Sequence, residues 1–159
     1  MKRRIISFIL IAVMLVSFAS CGGNMPYNEN MPYNGNIVFH DIKVYIPQSF
    51  IRDSTKSGDE AWVFEKGFYK EFIIIKRDAV SEDASAELDG YAEFVTEQEI
   101  TAEMTSFQGR DAVISESAQS YELIFEYNSY FYAISLRGGS KDDFNTLVNT
   151  VGIENNIEK

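Results

Sequence analysis

The chain has 159 residues, among them one cysteine, Cys21, and one histidine, His40. That scarcity bounds the chemistry. Zinc sites draw on several Cys and His ligands, and the sequence beyond Cys21 offers His40 alone. A Ser-His-Asp hydrolase would have to use His40, yet no Gly-x-Ser-x-Gly turn is present to carry its nucleophile. His40 is in phase with Ile42 and Val44 and reads as a side chain at a strand end. Glu97, Glu99 and Glu103 are close enough in sequence to serve as acid and base on a glycoside or to bind Ca²⁺. Without EF-hand spacing they read better as a solvated helix end. Gly138-Gly139 could form an anion nest before the last helix, but Asp142 and Asp143 behind it point to helix capping. Trp62 and Tyr69 flank a Lys-Gly turn and either line a groove or join the sheet core. No phosphate loop or dinucleotide fingerprint occurs. The expectation is a protein that is not an enzyme, with no metal and no cofactor.

Cys21 has a different use. Lys2, Arg3 and Arg4 precede an uncharged run from Ile5 to Ala19. That run has the length of a signal-peptide apolar region, short of the ~20 residues that span a bilayer. Small residues Ala19 and Ser20 then lead into Cys21. Phe18-Ala19-Ser20-Cys21 resembles the lipobox of bacterial lipoproteins, with Phe18 where that family usually has Leu. The resemblance implies a diacylglyceryl group on the Cys21 thiol, a nucleophile suited to lipid transfer, and cleavage just before it. An ordinary secretory signal cut after Ala19 or Ser20 is the alternative. Loss of residues 1–20 leaves 11 Lys and Arg against 24 Asp and Glu, a net charge of −13 in place of −10. Such a chain does not lie flat on anionic lipid, and nucleic acid, which needs a basic face, is not an expected partner. The expected location is the extracytoplasmic face of a bacterial cell membrane, held by lipid on Cys21.

Residues 21–36 read as the lipidated cysteine and a tether. Asn24 onward runs NMPYNE and then NMPYNG, rich in Asn, Pro and Gly, with no apolar period. A flexible coil of that length spans on the order of 20 Å. The Met-Pro-Tyr unit as a docking peptide is the alternative.

The elements that would position any site begin at Ile37. Aromatics at 14% favour a sheet-rich core. "IVFHDIKVYIP" reads as a strand ended by Pro47, and residues 54–60 as a loop. Residues 61–77 read as strand, Lys-Gly turn, strand. Leu88, Tyr91, Ala92 and Val95 recur at helical spacing behind a cap at Asp83 or Ser85, with Gly90 a mild penalty inside that helix. "TAEMTSF" and "DAVISES" are strands joined by Gln108-Gly109-Arg110. "YELIFEY" and "YFYAISL" flank Asn128-Ser129 as a hairpin, pairing Tyr127 with Tyr130, Phe125 with Tyr132, Leu123 with Ile134 and Tyr121 with Leu136 on one apolar face. The other face holds Glu122 and Glu126, which a register slip would bury. Ser140 and Asp143 form a capping box ahead of the stripe Phe144, Leu147, Val148 and Val151. Residues 154–159 read as a polar tail. The fold class is α+β, a mainly antiparallel sheet packed by two amphipathic helices.

"FHDIKVYIPQSF", "FQGRDAV" and "YFYAISLRGGSKDDFNTLVNTV" together resemble the PsbP-like fold, shared with the Mog-like and DcrB-like proteins, over residues 37–153. The resemblance implies an αβα sandwich and a binding or assembly role in place of catalysis, without transferring any site residue. Two functions are therefore expected to compete. One is a non-enzymatic lipoprotein that binds an envelope protein partner. The other is a carrier or sensor of a small lipid or sugar, held between sheet and helix.

Overall fold

A computed structural model describes residues 35–67, 71–81, 83–98 and 100–153. The chain begins with β1 (Gly35–Phe39) and β2 (Ile42–Ile46), then β3 (Ile51–Arg52), β4 (Ala61–Lys66) and β5 (Glu71–Ala79). Helix α1 (Ala84–Glu97) precedes a four-strand meander: β6 (Thr101–Phe107), β7 (Arg110–Ser117), β8 (Ser120–Tyr127) and β9 (Tyr130–Arg137). Helix α2 (Lys141–Asn149) and the short β10 (Gly152–Ile153) follow. All strand pairs are antiparallel.

Seven strands form the main sheet in the order β3-β4-β5-β9-β8-β7-β6, and β1-β2-β10 form a separate small sheet. Helix α1 carries the chain from β5 across one face to the far edge, and the meander then folds back until β9 pairs with β5. Leu88 of α1 packs there on Val113, Ile124 and Phe131. The opposite face is covered by the small sheet and α2, whose Ile42, Val44, Ile46, Phe144 and Leu147 share one core with Phe64, Ile75, Phe125 and Ile134. Two helices on opposite faces of a mostly antiparallel sheet is the expected α+β class.

The first strand differs from the sequence reading. Residues 37–47 form a hairpin, with His40 at φ +54° in its turn. Phase explains it. Ile37 and Phe39 are buried, and so are Ile42, Val44 and Ile46. Phe39 and Ile42 are three residues apart, so one continuous strand would put them on opposite faces. A two-residue turn returns both to the core. His40 is thus a turn residue and not a strand-end side chain. Tyr132 then ties the layers together, because its buried hydroxyl donates to Asp41 Oδ2 at 3.0 Å. Burial and that carboxylate push the Tyr132 phenol up to about 12.

The Asn128-Ser129 hairpin has the expected register at every pair. Both turn residues have positive φ, 52° and 64°, as a two-residue turn matched to strand twist requires. The face assigned to the glutamates is also buried, because α1 lies across Ile124 and Phe131. Asp83 caps α1 through the backbone N–H groups of Ser85 and Ala86, and Ser140 and Asp143 form the capping box of α2. Arg110 begins β7, so the turn before it is Gln108-Gly109 alone. β3 falls in a stretch to which the sequence assigned no element.

Candidate functional site

A concavity lies where the two sheets diverge beside α2. It holds about 250 Å³. Phe50, Ile73, Leu136 and Leu147 make an apolar floor, all buried. Pro47 and Ser49 form one wall, from the loop that follows β2, and Tyr45 stands at its mouth. The rim is polar. Lys66 Nζ donates to Glu71 Oε1 and Oε2 at 3.1 and 3.0 Å and lies 5.6 Å from the Phe50 ring centroid. Asp143 of α2 completes it. Its carboxylate accepts from Ser140 Oγ at 2.6 Å and from the Ser140 N–H at 3.2 Å, which holds it below the usual carboxylate range. One cation between two carboxylates leaves the rim acidic.

Local sequence builds this groove. Pro47 stops β2, and the Phe50 N–H donates back to the Pro47 carbonyl at 3.0 Å, which turns Phe50 into the floor. The capping box fixes the start of α2, so Asp143, Thr146, Leu147 and Thr150 fall along the side that lines the groove. The Thr146 hydroxyl donates to Asp142 O and the Thr150 hydroxyl to Leu147 O, and the Tyr45 N–H donates to Thr150 Oγ1 at 3.2 Å. The last of these bonds ties the C-terminal end of α2 to β2.

A second polar cluster sits beneath α1. The Tyr91 hydroxyl donates to Glu122 Oε2 at 2.5 Å and Ser135 Oγ to Glu122 Oε1 at 2.7 Å. Burial, then Glu122, push the Tyr91 phenol far above its usual range. Burial pulls the Lys76 ammonium down, partly offset by the Glu122 charge and reinforced by Arg137. Both Glu122 oxygens are committed to neutral donors within the fold, so the cluster pins α1 to the sheet. The adjoining cavity, at about 10 Å³, has room for a single water at most. Tyr91→Phe keeps the ring and removes the donor to a charged acceptor. Its expected cost is about 1.5–3 kcal/mol in urea unfolding; a change under about 0.5 kcal/mol, an ordinary surface effect, would show that the bond does not hold the helix.

The residues singled out in the sequence do not converge. The His40 ring packs edge-on against Phe39 at 4.6 Å, and its Nε2 lies 2.8 Å from the Asp59 carbonyl oxygen. Trp62 is half-buried, 5.2 Å from Phe39, with the Arg52 guanidinium 4.1 Å over its ring; that places it beside the core and away from the groove. Glu97 ends α1 and Glu103 stands exposed in β6. Gly138 has φ +75°, but its N–H donates to the Gln119 carbonyl at 2.8 Å and is spent before any anion arrives. A Cβ on Gly139 would meet Leu136 Cδ2 at 2.7 Å, so that glycine serves close packing under the turn. Cys21, Tyr69, Glu99, residues 21–34 of the tether expected over 21–36 and the tail 154–159 lie outside the described residues, whereas Gly35 and Asn36, expected in that tether, open β1. Among the described residues no three His, Cys, Asp or Glu are grouped to hold a metal ion, and no helix is long and apolar enough to cross a membrane. The groove itself was missed in sequence because its walls come from five separate elements. Pro47 and the capping box were its only local signals.

No protein-family model matches the chain, and no curated protein sequence is similar to it. Solved structures are similar in fold. Cyanobacterial PsbP (CyanoP) from Synechocystis aligns at a TM-score of 0.51, with 13% identity over 85% of this chain and 98% of that one. The Ran-binding protein Mog1p of Saccharomyces cerevisiae aligns at 0.46, with 15% identity over 77% of this chain and 96% of that one. At such identity the CyanoP likeness is one of fold, and the PsbP-like fold expected from the sequence is the one the chain adopts.

Proposed function

We propose that this chain is a membrane-tethered, non-enzymatic binding module whose groove beside α2 receives a segment of an envelope protein partner. The groove's dimensions carry the reading. At about 250 Å³ it falls below the ~300–1,000 Å³ of pockets that engulf small ligands, and it is bounded on one side by an ionic rim. It suits one or two apolar side chains of a protein segment better than an enclosed lipid or sugar. The acidic rim favours a cation beside that apolar anchor. The PsbP-like fold, as seen in CyanoP, accords with a module of this kind without naming a partner. Anchoring rests on the order of charge, apolar run, small residues and cysteine at residues 2–21, and it places the module on the extracytoplasmic side.

Thr146→Trp would fill the groove from exposed helix surface. Cross-linking in intact cells, followed by affinity capture and mass spectrometry, should lose a reproducible partner in this variant while thermal unfolding stays within a few degrees of the parent. An unchanged partner set would remove the groove from the interaction. Bound lipid or sugar, recovered from the parent and lost in Thr146→Trp, would favour the carrier reading instead.

A further inference from the structure

Strand β6 is the outermost strand of the main sheet, and no described strand flanks its free side. Among the described strands it is also the longest at an edge. β3 and β10 have two residues each and β1 has five, against seven in β6. Natural edges are usually blunted by Pro, Lys, a bulge or shortness. The sequence of β6, TAEMTSF, has no Pro or Lys and a single charged residue, Glu103, and its register with β7 runs unbroken from Thr101 to Phe107. Five of its seven residues are exposed, and Met104 at the centre is 40% exposed, one of few large apolar side chains to be so.

The two-residue Gln108-Gly109 turn fixes which backbone groups face outward. Phe107 and Arg110 flank it as a hydrogen-bonded pair, and bonding then alternates along the strands. Thr101, Glu103, Thr105 and Phe107 therefore bond to β7. Ala102, Met104 and Ser106 direct their N–H and C=O groups to the open edge.

From this we infer that β6 pairs antiparallel with β6 of a second copy about a two-fold axis at Met104, joining two seven-stranded sheets into one. The edge is self-complementary about that point. Ala102 faces Ser106, Met104 faces Met104, and every outward group finds a partner, six backbone hydrogen bonds in all. Glu103, the only charged residue of β6, faces Thr105, so no like charges oppose each other across the pair. A single strand pair buries less than the ~1,200 Å² of a stable complex, and the net charge of −10 on each copy opposes association. The dimer is therefore weak, concentration-dependent and favoured by salt, which screens that repulsion.

The register makes the test specific. Hydrogen-bonded partners lie about 5.5 Å apart at Cα, within disulfide reach. In the full chain with Cys21→Ser, Met104→Cys should form a covalent dimer under mild oxidation. Ala102→Cys and Ser106→Cys should cross-link to each other when mixed, and each only poorly to itself. Val38→Cys, exposed on β1, is the collision control. Met104→Pro removes an outward N–H without touching the bonds to β7, and Met104→Glu opposes two charges at the axis. Sedimentation at high concentration should show a dimer in the parent and its loss in both variants. Equal cross-linking at residues 38 and 104, or a parent that stays monomeric at millimolar concentration in high salt, would overturn the inference. So would a β6 edge that accepts an unrelated peptide strand but never a second copy.

Discussion

Phe125→Ala should lower the unfolding free energy by about 3–5 kcal/mol, the range for emptying a buried aromatic site. Phe125 is 0% exposed in β8. Its ring lies 4.8 Å from Phe107 and 5.8 Å from Tyr132, stacked on the latter. It therefore sits where the meander, the central strand β9 and the small sheet meet. The cavity left by alanine would be walled by backbone ladders on both sides, β7 through Ala112 and β9 through Tyr132, which leaves little freedom to collapse. Against a typical total of about 5–15 kcal/mol, such a loss removes much of the stability of the domain. Urea unfolding with Phe125→Leu alongside separates volume from aromatic contact. A loss under about 1.5 kcal/mol for Phe125→Ala, typical of volume-conserving swaps, would mean that this layer is far more plastic than its packing implies.

Cys21→Ser is expected to move the protein from the membrane fraction to the soluble fraction, or to leave it unprocessed at the size of the full chain. Under the proposed anchoring, the acyl chains on Cys21 supply the membrane affinity, at about 0.8 kcal/mol for each buried methylene. No other source of that size is evident. The charge of −13 that cleavage before Cys21 would leave is repelled by anionic lipid, and no described helix is long and apolar enough to span the bilayer. Serine conserves size but cannot accept the lipid as a thiolate does. Fractionation with mass measurement of the N-terminal peptide reads the result. A Cys21→Ser protein that still pellets with membranes at the processed size would sink the lipid anchor and leave the ordinary secretory signal in its place.

Most of the fold was legible because its signals are local. The Asn128-Ser129 hairpin combines a turn that tolerates positive φ with strict alternation on both arms, so each pairing follows from its neighbour. The capping box at Ser140 and Asp143 places α2 to the residue. Failure came where two local readings fit the same residues. "IVFHDIKVYIP" alternates well enough to pass for one strand, and only the phase shift between Phe39 and Ile42 reveals the hairpin. Glu122 looked like a solvent-facing residue because alternation cannot say whether a helix will later cover the polar-looking face.

By itself the sequence determined the α+β class, the two capped helices, the four strands of the meander with the register of its last hairpin, the net negative charge, and the single cysteine on which anchoring is proposed. These depend on periodicity, turn chemistry and composition, which act over a few residues or over the whole chain. The tertiary structure alone decided that β1 and β2 leave the main sheet to cover it, that Glu122 is held beneath α1, that a groove opens between α2 and Phe50, and that β6 is the last of the described strands at one edge of the main sheet. Each of these joins residues tens of positions apart. Which face is covered, and which edge is left open, is set by how apolar surfaces compete for one another once the chain has collapsed.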